Sequence, residues 1–193
     1  ESASTGSLSA HTGDSLASDS GAIDISSGDA TNSGGLSVSS GNSQMQSGSI
    51  DIMGGSSSSS TGGSIFARSG ESFSSTSGSI NIESGTAAQQ SGSVTVGTGK
   101  AVEQSGAIEI LTGDALASSG DIALLGGVSS TAQGGSVLLQ GGESSDNNGG
   151  SIQLRSGSGG LGKGGDIVST TGSSISGEGG ALRLKTGDGV TSG

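Results

Sequence analysis

Thirteen octets along this chain each open on one glycine and close on another seven residues later, and that metre decides what the chain can fold into. The octets open at Gly6, Gly21, Gly34, Gly48, Gly63, Gly78, Gly92, Gly106, Gly120, Gly135, Gly150, Gly165 and Gly180. They close at Gly13, Gly28, Gly41, Gly55, Gly70, Gly85, Gly99, Gly113, Gly127, Gly142, Gly157, Gly172 and Gly187. From a closing glycine to the next opening one takes six to eight steps, so a whole repeat is 13 to 15 residues. A fixed period of this kind is the signature of a repeat architecture, and one half of each repeat tolerates a change of length.

Within the octet, position three is aliphatic in all thirteen copies and position five is apolar in all but one, where Ser169 stands. Position four is mixed, with Ser9, Asp24, Asn81, Glu109 and Arg183 among its occupants. Apolar residues two apart around a polar one predict a β-strand with one buried face. The expected core ladder is therefore Ile23, Ile25, Ile50, Ile52, Ile80, Ile82, Ile108, Ile110, Ile122, Leu124, Val137, Leu139, Ile152 and Leu154. Position ten is Ser, Ala or Gly in every repeat, which reads as a steric limit on an inward-facing site. The small residues beside each opening glycine point to a turn whose backbone angles glycine alone tolerates.

These features predict an all-β chain, residues 1–193 forming one array. Each repeat becomes a flat coil: strand, turn, second strand, turn. About thirteen coils of 13–15 residues stack as a parallel β-solenoid, with two parallel sheets face to face, rising about 4.8 Å per coil. The absence of proline suits strands hydrogen-bonded on both sides. With 42 glycines and 27% hydrophobic residues a conventional core is out of reach, so order has to come from like stacking on like. Residues Glu1 to Thr5 fit the tail of an earlier repeat and Gly193 falls where another octet would open. A segment of a longer array, continued end to end, is the expectation.

The Gly-x-Ile-x-Ile-x-Thr-Gly octets, over residues 6–193, resemble the parallel β-solenoid (β-helix) repeat proteins of extracellular fibres and stalks. Antifreeze-like solenoids are architectural relatives. The resemblance implies a structural protein of an extracellular filament, stalk or surface appendage that associates with itself. The alternative is an ice- or mineral-surface binder using a flat Ser/Thr face.

Chemistry is sparsely supplied. No cysteine is present, and the single histidine, His11, has no evident catalytic partners, so no catalytic residue, no cofactor and no enzyme activity are expected. Asp14, Asp29, Glu71, Asp114, Glu143 and Asp188 each follow a closing glycine, where carboxylates can share calcium. Only the first two lie on consecutive coils, so polar turn residues are the better reading and no metal site is assigned. Threonine at position seven (Thr12, Thr98, Thr112, Thr171, Thr186) is interrupted by Ser or Gly, breaking any ice-matching row. Phe66 and Phe73 are too few to make a sugar-stacking face.

The net charge of −11 and six scattered basic residues exclude a nucleic-acid partner. No apolar run approaches the ~18 residues of a membrane span. A Ser/Thr-rich acidic surface suggests an extracellular or cell-surface setting; no Asn-x-Ser/Thr sequon occurs, and the many Ser and Thr hydroxyls leave O-glycosylation open. Leu111, Leu125 and Leu138 sit at outward positions of three successive repeats and form a candidate lateral contact.

Overall fold

A computed structural model describes residues 5–189. The two ends that suggested a longer array, 1–4 and 190–193, lie outside the described residues. Among the described residues there is neither helix nor strand. The parallel β-solenoid with two facing sheets is therefore overturned, and the described residues are coil throughout. It divides into two units, Glu1–Thr95 and Val96–Gly193, and close approaches within them are almost all local in sequence.

The coil is nonetheless regular. Every octet runs without a bend, and every loop bends at the same place. The bend begins three residues after the closing glycine: at Leu16, Thr31, Gln44, Ser58, Phe73 and Ala88 in the first unit. In the second it begins at Val102, Leu116, Ser130, Ser145, Gly160 and Ile175. Loop length sets its extent. Loops of eight steps bend over three residues, as at 58–60 and 145–147. Loops of seven steps bend over two, as at 88–89 and 116–117, and the single six-step loop makes a two-residue turn at 31–32. The chain thus turns in the middle of each loop rather than at the glycines.

The expected second strand is where this bend falls. That half of the repeat lacks an aliphatic pair, and its serines can bond their own backbone, which favours turns over ladders. The octets do carry the aliphatic alternation. However, periodicity marks the face that is able to be buried and does not supply the surface that buries it. No side chain among the described residues is buried. Position three is only partly shielded by its own chain, and position five less so: Ile50 is 49% and Ile52 74% exposed. With two aliphatics per repeat, burial in a lone coil falls short of the entropy of ordering it.

Glycine's role also differs from the expectation. Among the described residues no glycine has positive φ, so no turn here depends on the left-handed backbone. What several opening glycines provide is room for close approach. A methyl group added at Gly63 would meet the Gly55 nitrogen at 2.9 Å, and one at Gly78 would meet Ser69 Cβ at 3.3 Å. Closing glycines such as Gly55, Gly70 and Gly142 face open space instead.

Candidate functional site

The one place where this chain gathers residues is the junction between an octet and the octet after it. Thr12, Ser69, Ser84 and Gly141 are the only half-buried residues among those described, and all four occupy position seven. At every junction but the one before Gly34, the next opening glycine lies against that position. Measured to a methyl group added at the glycine, Thr12 Cγ2 is 3.4 Å from Gly21, Thr98 Cγ2 3.6 Å from Gly106 and Thr112 Cγ2 3.7 Å from Gly120. These three threonine methyls are turned towards their own chain.

A backbone hydrogen bond ties this junction in six loops. The opening glycine amide donates to the preceding closing glycine carbonyl: Gly63 to Gly55, Gly78 to Gly70, Gly135 to Gly127, Gly150 to Gly142, Gly165 to Gly157 and Gly180 to Gly172, at 2.8 to 3.0 Å. All six are loops of eight steps. The seventh eight-step loop, Gly13 to Gly21, is not so bonded, and nothing in the structure explains the difference.

The serine at position ten, expected inside, is exposed and shapes the bend. Its hydroxyl accepts the amide of the third residue on: Ser15 from Ser18, Ser57 from Ser60, Ser72 from Ser75, Ser129 from Ala132, Ser144 from Asn147 and Ser174 from Gly177. Ser43, in a seven-step loop, accepts from Met45 two residues on. Every serine at position ten makes such a bond. Alanine stands there in the other seven-step and six-step loops, as Ala30, Ala87, Ala101 and Ala115. The remaining eight-step loop has Gly159, where an added methyl would lie 2.5 Å from the Gly162 carbonyl oxygen. The pairing of serine with long loops was available in the sequence and is the signal the small-residue reading missed.

The expected core ladder lies at the surface. Ile108 and Ile122, which stacked coils would make neighbours, are each 52% exposed, and the rest of the ladder, from Ile23 and Ile25 to Ile152 and Leu154, is exposed as well. Leu111, Leu125 and Leu138 are 74%, 88% and 80% exposed. Leu16, Phe73, Val102, Leu116, Leu161 and Ile175 project fully into solvent from the loops.

Charged groups remain solvated. Lys163 pairs with Asp166 at 2.7 Å and Lys185 with Asp188 at 3.4 Å, both exposed contacts worth little to stability. Asp188 is thus the one member of the post-glycine acids that an ion pair engages. Among the described residues no three His, Asp or Glu side chains come together as a metal set, no cavity is present, and no helix is long and apolar enough to cross a membrane. His11 is exposed, with Nδ1 3.4 Å from its neighbour's carbonyl oxygen. No family model matches this chain, and neither a curated protein nor a solved structure resembles it.

Proposed function

We propose that this chain is a structural repeat segment, part of an assembly outside the cell or at its surface, whose copies associate through their aliphatic octets. The observation that carries this reading is repetition without convergence. A reactive site draws unlike residues to one place, whereas here the same aliphatic pair, junction and bend recur in register. Function distributed in this way scales with the number of repeats. The partner we name is a second copy of this chain, because it presents exposed pairs at the same spacing, such as Ile108 with Ile110 and Ile122 with Leu124.

The net charge of −11 opposes that association and keeps copies apart at low salt. Screening shortens the repulsion to about 10 Å at 0.1 M ionic strength. Sedimentation of the purified chain across a concentration and salt series, with electron microscopy of the same samples, tests the reading. Reversible assembly that strengthens with salt is the expected result. A chain that stays monomeric at every concentration and ionic strength refutes it.

A further inference from the structure

We propose that the basal glycine bond, made only by loops of eight steps, sets where this chain yields, the six tied loops acting as clasps and the untied loops as free joints. Within the first unit the shorter loops after Gly28, Gly41 and Gly85 are untied, as is the eight-step loop after Gly13, while those after Gly55 and Gly70 are tied. Within the second, the loops after Gly99 and Gly113 are untied, and four tied loops follow in succession after Gly127, Gly142, Gly157 and Gly172. All but one of the clasps combine two bonds. The glycine amide closes the base of the loop, and in five of the six a serine hydroxyl fixes the bend inside it. A seven-step loop has one residue fewer in its bend, and at Ala87, Ala101 and Ala115 it has no hydroxyl to accept an amide.

Extension of the chain by pulling, or its opening to a protease, has to break the basal bond of a clasp but meets no such bond in a joint. The free joints include 99–120, and the stiffest run of the second unit is 127–180. The device works in the single chain and does not depend on self-association.

Amide exchange of the full chain by nuclear magnetic resonance, corrected for intrinsic rates, reads the clasps one by one. One exposed hydrogen bond of ordinary net strength slows exchange by about fivefold. Gly63, Gly78, Gly135, Gly150, Gly165 and Gly180 are expected to show that protection, and Gly21, Gly34, Gly48, Gly92, Gly106 and Gly120 to lack it. Equal rates in the two sets overturn the proposal. A second measurement uses Leu116 and Leu161, matched in residue type and both fully exposed at loop bends. Brief treatment with a broad-specificity protease is expected to cut at Leu116 before Leu161, and the reverse order overturns it. Finally, deleting Ser145 shortens the tied loop after Gly142 to seven steps; the Gly150 amide is then expected to lose protection, and its retention counts against loop length as a determinant.

Discussion

Two adjacent glycines, Gly54 and Gly55, are expected to respond in opposite ways to the same substitution. A methyl group at Gly54 would stand 2.5 Å from the Gly63 carbonyl oxygen and 3.0 Å from its carbon, both backbone atoms with no rotamer to yield. Ordinary van der Waals contact begins at 3.4 Å, so the junction has to open by about 0.9 Å. The neighbouring bond from the Gly63 amide to the Gly55 carbonyl, now 2.8 Å, is carried outside hydrogen-bonding range by a shift of that size. The lost bond costs about 1 kcal/mol net. In Gly54→Ala the Gly63 amide is therefore expected to exchange about fivefold faster. At Gly55 an added methyl meets nothing within 4 Å, and φ is not positive. Gly55→Ala is expected to leave Gly63 protection at or above its original level. Exchange rates of the Gly63 amide in the two variants decide the matter. If Gly55→Ala loosens the junction as much as Gly54→Ala does, close approach is the wrong account of these glycines.

Four further outcomes are expected. Ser144→Ala removes the acceptor of the Asn147 amide, at 3.0 Å in the structure, so that amide is expected to exchange a few times faster while Ala132, under Ser129, is unchanged; a change confined to neither site argues against the serine turn. Calorimetry of the dilute chain is expected to show no cooperative endotherm, because unfolding has no buried apolar surface to expose; a sharp peak contradicts the exposed aliphatics. Replacing Leu111, Leu125 and Leu138 together by serine is expected to weaken association without altering amide protection at Gly135 and Gly150, and unchanged assembly removes those leucines from the contact. Lys163→Ala breaks an exposed ion pair and is expected to leave the Gly165 amide protected, since such pairs contribute little; a loss of that protection assigns the pair a role in the clasp.

The metre of this chain was legible in the sequence, and so was the division into a fixed octet and an adjustable loop. The spacing of six to eight steps between Gly13 and Gly180 passes directly into bends of two or three residues. The aliphatic pairs misled, because Ile108 and Ile110 announce a face without saying whether anything covers it. The glycines misled in a different way: Gly63 is required by the approach of another backbone segment, which no local pattern contains. Ser57 and Ser144 were read by size when their hydroxyls were the point. Comparing them with Ala87 and Ala101 against loop length separates the two roles, since serine stands in six of the seven eight-step loops and its hydroxyl accepts an amide within the bend.

The bend starts three residues after each closing glycine whatever the loop's length, so a change of one residue is absorbed downstream of that point before the following octet opens. The chain therefore has an insertion tract in every repeat. A fluorophore, affinity tag or single cysteine placed beside Leu116 or Leu161 leaves the next octet in phase, whereas one added residue between Gly106 and Gly113 breaks the ruler.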